Sequence, residues 1–178
     1  MKVKFIMPAG ETIADVAGSF PLSEHFKLSE LANTSGDAAL PMYEMSENAL
    51  QFLQILERFR VRIDKPLDPV SCYRQPGFNA QVGGDKNSLH LHGCACDFNK
   101  YKDRPDNFII AQWLLALSDY DSIGAINIYA GRYHVEAGSD KYLGYTRSQI
   151  RIYSSDADFS KYKYLYKDKY DVKRYYEK

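Results

Sequence analysis

Apolar residues recur at helical spacing in one part of this chain and gather in strand-length clusters in several others. Ala49, Phe52, Leu53, Leu56 and Phe59 fall three or four apart, the spacing that places side chains on one face of a helix. Ser46 ahead of them suits an N-cap, and Glu47 supplies an acid in the first turn. A helix over 46–60 is predicted, packing one face into the core. A second helix is predicted over 107–118, capped by Asn107 and running apolar from Phe108 to Leu117 around the single tryptophan, Trp113. That run falls well short of the ~20 residues that cross a bilayer, so it reads as a helix buried under a sheet.

Strands are predicted at Val70 to Arg74, at Cys94 to Phe98 as a central strand, and at Ile123 to Tyr129 and Arg132 to Val135. The last two are joined by Ala130-Gly131 as a hairpin. Near the amino terminus, lysines alternate with apolar residues from Lys2 to Met7 until Pro8 and Gly10 cut the run short. This reads as a short edge strand whose lysines discourage edge pairing. Residues 22–32 read as a short structured segment with a helical turn at Leu28 to Leu31. Residues 33–45 read as a loop, 75–89 as a polar Gly-rich loop, and 100–104 as a charged turn. The fold class expected is α+β: one domain over 1–178 with a mostly antiparallel sheet and flanking helices.

Composition narrows the function classes. With 178 residues, 45% of them hydrophobic and 26% charged, the chain suits a globular domain with a sizeable core. Lysine plus arginine and aspartate plus glutamate both number 23, so no global charge points to nucleic acid or a membrane surface. Three cysteines, an odd number, argue against a disulfide framework and for a reducing compartment. The first residues lack the continuous apolar stretch of about 7–15 residues that a secretory signal needs. Nothing in the sequence sets an oligomeric state. Residues 161–178 differ in character, with six tyrosines and seven lysines or arginines against three acids. Such a tail can stack on sugars or bases and meet phosphate, or simply pack its rings on the domain.

The densest chemistry lies in Ser88-Leu89-His90-Leu91-His92-Gly93-Cys94-Ala95-Cys96-Asp97-Phe98. Two imidazoles, two thiols and a carboxylate fall within ten residues. Residues seven apart on a straight strand face opposite ways, so His90 is expected on a loop or strand start, with a bend near Gly93 and Asp97 on the strand that follows. On a straight strand His90, His92, Cys94 and Cys96 would instead share a face. They would then spread over about 20 Å, too far for one ion. A further histidine, His134, stands in Arg132-Tyr133-His134-Val135-Glu136, where strand parity puts Glu136 on the same face. His25 reads as a surface or packing residue.

The segment from Ser88 to Asp97 fits Ser-x-His-x-x-Gly-x-Ala-x-Asp and resembles the zinc D-alanyl-D-alanine peptidases, a family of carboxypeptidases and phage murein endopeptidases that shares its fold with hedgehog domains. Ser71-Cys72-Tyr73-Arg74-Gln75-Pro76 resembles the family's Ser-Gly-Tyr-Arg-Ser-Pro, with Cys72 in place of glycine. Asn79 and Val82-Gly83-Gly84 also fall where the family has such residues, and Leu22 to Leu31 resembles the opening of phage and prophage members. The likeness covers about residues 20–138, with 140–178 as a Tyr/Lys-rich extension. It implies one zinc ion per chain held by His90, Asp97 and His134, with the fourth position left to water. It further implies Arg74 meeting the substrate carboxylate or developing oxyanion, and Ser88 orienting substrate.

One feature departs from the family. Its members keep Glu-x-x-His, Asp-x-x-His or His-x-His at the last ligand, whereas this chain has Gly131 three residues before His134 and Arg132 two before it; Tyr133-His134-Val135-Glu136 is closer to a branch ending His-Val-Asp or His-Ile-Asp, with a longer acid. Glu136 is therefore the expected acid or base, with His92 as its competitor and a purely bracing carboxylate as the other reading of Glu136. The implied function is a zinc metallopeptidase that hydrolyses peptidoglycan stem peptides at bonds involving D-amino acids. Such an enzyme would be made in the cytoplasm and reach the wall by export, by lysis or in a phage particle. A zinc-bound but inactive module is the alternative, and a nucleic-acid-binding role for the tail is a third reading.

Overall fold

The computed structural model describes residues 2–32, 43–139, 143–154 and 171–174. Its principal sheet has six strands in the order β4 (Pro69–Ser71), β5 (Ala95–Asn99), β7 (Arg132–Gly138), β6 (Ile123–Ile128), β8 (Gln149–Ile152) and β9 (Asp171–Arg174). The four strands from β4 to β6 pair antiparallel. β8 and β9 then join parallel, so the sheet is mixed and the expected antiparallel character holds only for its first part. Of residues 161–178 only β9 is described; the rest lies outside the described residues.

Two helices carry most of the apolar surface that covers this sheet. α2 (Glu47–Ile63) begins where the sequence indicated: the Ser46 hydroxyl accepts the Ala49 N–H at 3.2 Å. It runs three residues past the expected end and stops at Asp64, which adopts a left-handed conformation with φ 52°. α4 (Asp106–Ser118) starts one residue before the predicted cap. Pro105 precedes it in extended conformation, and Asp106 occupies the first turn, leaving Asn107 inside the helix. An acid is favourable there because it faces the positive end of the helix dipole. Phe59 of α2 meets Trp113 of α4 edge-on at 5.3 Å between ring centres and leans on Phe98 of β5 at 5.7 Å. These contacts tie both helices to the strand that carries the central motif.

A second, three-stranded sheet has the order β2 (Gly10–Asp15), β1 (Lys2–Met7) and β3 (Tyr43–Ser46). The expected edge strand at 2–7 is therefore central: β1 pairs antiparallel with β2 and parallel with β3. Its lysines lie on the sheet faces rather than guarding an edge, Lys4 pairing with Glu11 at 2.9 Å. Pro8 and Gly10 do not end the β structure but turn it back as a hairpin, with Met7 opposite Gly10. β3 takes residues 43–45 out of the expected loop; the remainder of that loop lies outside the described residues. α1 (Leu28–Leu31) is the helical turn anticipated at those positions. Two further boundaries are corrected. β4 ends at Ser71, short of Arg74, and residues 76–81 of the expected polar loop form α3 (Pro76–Gln81) with proline in its first turn. Among the described residues no helix is long and apolar enough to cross a membrane.

Candidate metal centre

The approach to the central motif is set by Asn79. It is buried in α3, its Nδ2 donates to the Asp85 carbonyl at 2.8 Å, and its own carbonyl accepts the Gly84 N–H at 2.8 Å. A Cβ at Gly84 would stand 2.2 Å from Asn79 Oδ1, so only glycine lets the loop close so tightly on the asparagine. That closure delivers Ser88 to the head of a single 3-10 turn, Leu89–His92, which ends at Gly93 with φ 66°. Glycine reaches this left-handed conformation without steric cost. The chain then enters β5. His90 thus precedes the bend and Asp97 follows it, and the seven-residue spacing that would separate them on a straight strand brings them together.

His134 arrives from the neighbouring strand. β5 and β7 pair with Asp97 directly opposite His134. His134 Nδ1 lies 2.9 Å from Asp97 Oδ1 and 3.2 Å from His90 Nε2, and His90 Nε2 lies 3.5 Å from Asp97 Oδ2. Both rings are oriented from behind. The His90 Nδ1–H donates to the Cys72 carbonyl at 2.5 Å, and His134 Nε2 lies 3.0 Å from Glu136 Oε2. Each imidazole therefore turns its other nitrogen toward the same point.

These separations can be tested against a metal ion. Tetrahedral zinc with bonds of ~2.1 Å has ligand atoms roughly 3.4 Å apart, and the two facing nitrogens lie 3.2 Å from each other and 2.9–3.5 Å from one or other Asp97 oxygen. Two imidazole nitrogens, each fixed by a hydrogen bond on the opposite side, and one carboxylate form a donor set that suits zinc. The residues fit the ion.

The electrostatics agree with a place for positive charge. Burial pushes the Asp97 carboxyl up, but hydrogen bonds from His134 and His90 outweigh it and hold the group well below the usual carboxylate range. Burial pushes Glu136 up as well, yet His134, Arg151 and Tyr145 bring it down to about 2. For His134 burial favours the neutral ring, but Asp97 and Glu136 raise it to about 9. Burial holds His90 below its ordinary value. The two carboxylates on either side of His134 thus favour positive charge at this point.

The other predicted residues are placed as follows. Arg74 lies just past β4, its N–H on the His90 carbonyl at 2.9 Å. Its Nε donates to Ser71 Oγ at 2.8 Å and its Nη2 to Asp97 Oδ2 at 2.5 Å, so the guanidinium sits against a candidate ligand. Ser88 and Arg74 both line a cavity of about 450 Å³ that opens over the three ligands. Glu136 is enclosed: besides His134, its Oε1 accepts from Arg151 Nη1 at 2.8 Å and from the Tyr145 hydroxyl at 3.0 Å. The alternative four-ligand set does not form. His92 is exposed at the end of the 3-10 turn, while Cys94 and Cys96 lie in the core. His25 pairs with Glu57, away from the cavity.

Several cavity residues were not anticipated: Asn127, Tyr129, Arg132, Tyr145 and Arg151. Asn127 lies opposite His134 on β6, is buried, and leaves its Oδ1 without a hydrogen-bond partner. A polar residue between Ile126 and Ile128 in a fully buried strand was a signal available in the sequence. Arg151 was signalled by the alternation Gln149-Ile150-Arg151-Ile152. Tyr145 precedes that strand in a segment with no periodicity to place it.

A sheet that brings two histidines and an aspartate to one open cavity offers a candidate metal site. Comparison with protein families matches residues 24–128, more than half of the chain, to Peptidase M15. The chain belongs to the M15 peptidase family. Neither the curated proteins nor the solved structures include a significant match. The matched stretch ends before His134, so the third candidate ligand rests on the sheet register and the distances given above.

Proposed function

We propose that this protein is a zinc metallopeptidase that hydrolyses peptidoglycan stem peptides at bonds involving D-amino acids. The observation that carries the reading is the convergence of His90 Nε2, Asp97 and His134 Nδ1 at tetrahedral spacing beneath a cavity large enough for a peptide segment. A zinc ion held there would supply Lewis-acid activation of water and of the scissile carbonyl. The remaining work falls to the chain. Arg74 presents a guanidinium beside Asp97, where it can meet a substrate carboxylate or the charge developing on the carbonyl oxygen. Ser88 and the unpartnered Oδ1 of Asn127 can accept N–H groups of the peptide and fix its register. Glu136 fits a positioning role better than that of a free acid or base, since His134, Arg151 and Tyr145 occupy its oxygens. The opening segment from Leu22 to Leu31 associates the activity with wall-degrading enzymes released by lysis or carried in a phage particle.

A second reading, a zinc-bound module without turnover, is favoured by Gly131. It stands three residues before His134, where family members with Glu-x-x-His or Asp-x-x-His carry an acid, and a Cβ there would have nothing within 4 Å. One experiment separates the two. The purified protein is expected to hold about one zinc per chain, to lose it in His134→Ala, and to release peptides or D-alanine from purified murein fragments. Zinc binding without release on any murein peptide would establish the inactive module, and full zinc retention in His134→Ala would overturn the centre itself.

A further inference from the structure

We propose that Cys72 and Cys96 are a disulfide site, a covalent cross-link between the strands directly behind the metal centre. Ser71 of β4 pairs with Asp97 of β5 in an antiparallel ladder. Just past the end of β4, the Cys72 side chain meets that of Cys96. Their sulfurs stand 2.6 Å apart, inside the ~3.5–4.0 Å of an ordinary non-bonded contact and within about 0.6 Å of the ~2.05 Å bond. Both residues are buried, and the other contact of the Cys96 thiol is a weak hydrogen bond to the Asp97 carbonyl at 3.7 Å. The third thiol is elsewhere: Cys94 Sγ donates to the His92 carbonyl at 3.3 Å. All three cysteines are free thiols in the structure, and the proposed bond would join two of them and leave Cys94 as a bystander.

The position gives the bond a consequence. The Cys72 carbonyl accepts the His90 Nδ1–H, and Cys96 immediately precedes Asp97. The cross-link would fasten the backbone behind one candidate ligand to the backbone beside another. In a reducing cytoplasm the two groups remain thiols; in an oxidising extracellular setting they close. With glutathione disulfide as oxidant the step balances. One cysteine thiolate attacks the reagent, releasing one glutathione thiol and forming a mixed disulfide; the second thiolate displaces the other glutathione. Two protons leave the protein thiols, and their two electrons reduce one glutathione disulfide to two thiols. Burial of both sulfurs places this exchange during folding or in a transiently opened state, and afterwards shields the bond from reductants.

The test uses the full chain, refolded in a glutathione redox buffer and, in parallel, in excess reductant. Free thiols are then alkylated under denaturing conditions and peptides are mapped by mass. One alkylated residue, Cys94, is expected in the oxidised sample, with the peptides of Cys72 and Cys96 joined and two hydrogens lighter. For a loop of this length the oxidised protein should melt roughly 10 °C above the reduced one. That shift should persist in Cys94→Ser and vanish in Cys72→Ala/Cys96→Ala. The alkylation count repeated on native protein, held in the redox buffer with mild urea, gives the same answer without refolding. Three free thiols, stable glutathione adducts, or a bond involving Cys94 would each overturn the proposal.

Discussion

Replacing Glu136 by glutamine distinguishes the two roles this residue could have. As a general acid or base it would contribute about 10²–10⁴-fold to the rate, and no addition of zinc would restore activity. As a positioning group it acts through His134, whose Nε2 it holds at 3.0 Å while Arg151 and Tyr145 hold the carboxylate. Removing such a partner costs about 10–100-fold in metal affinity, or roughly 1.4–2.7 kcal/mol. The expected outcome for Glu136→Gln is that weakening, measured by competition with a chromophoric chelator, with turnover at saturating zinc within about tenfold of the parent. The variant should also alter acid stability of the metal-free protein. Burial alone would raise this carboxyl, but its partners bring it from 4.5 down to about 2. A folded value below the unfolded one stabilises the protein above pH 4.5, and that stabilisation is lost as pH falls through about 2. The displacement corresponds to about 3 kcal/mol, shared with His134 and Arg151. Urea titrations across this window should therefore be flatter for the glutamine variant. Unchanged zinc affinity combined with a hundredfold loss of turnover would refute the positioning role.

Two other substitutions probe neighbouring parts of the site. Lysine at position 74 cannot reach Ser71 and Asp97 together as a planar guanidinium does, so Arg74→Lys should keep zinc and fold but lose roughly 10–100-fold in kcat/KM; unchanged kinetics would make Arg74 peripheral. Gly124→Ala should lower stability by about 3 kcal/mol and weaken zinc binding with it. The new Cβ would lie 2.1 Å from the Glu136 carbonyl oxygen and push β6 from the strand that carries His134, so an unaltered melting temperature would contradict the close approach.

What was legible in the sequence followed periodicity and short-range stereochemistry. The α2 helix could be read from Ser46 and five apolar positions because both signals are local. The bend between His90 and Asp97 could be argued because strand parity forbade the alternative. The small sheet could not. β1 was taken for an edge because its lysines imitate the residues that guard edges, and its partner β3 lies some forty residues away, a pairing that local pattern does not encode. Arg74 lies against Asp97 just past the end of β4 at Ser71, a side-chain contact between separate segments that local pattern does not encode. The cysteines illustrate the same limit. Counting them argued against a disulfide, whereas the register of β4 on β5 brings two of the three together.

The carboxyl-terminal part of the candidate site is built as one hydrogen-bonded unit. The residues after 128 lie beyond the family match, yet they supply His134, Glu136, Tyr145 and Arg151. Glu136 must reach an imidazole on its own strand and, with the other oxygen, an arginine from β8, which enters the sheet beyond β6. An aspartate would withdraw the carboxylate by about 1.5 Å, breaking one contact or the other and leaving either a buried imidazole unoriented or a mostly buried arginine unpaired. Arg151 in turn stacks over the Tyr145 ring at 5.4 Å while the Tyr145 hydroxyl donates to the same carboxylate. The longer acid after His134, the tyrosine and the arginine therefore form one unit. The extra methylene of Glu136 lets Arg151 of β8 brace the third candidate ligand, His134.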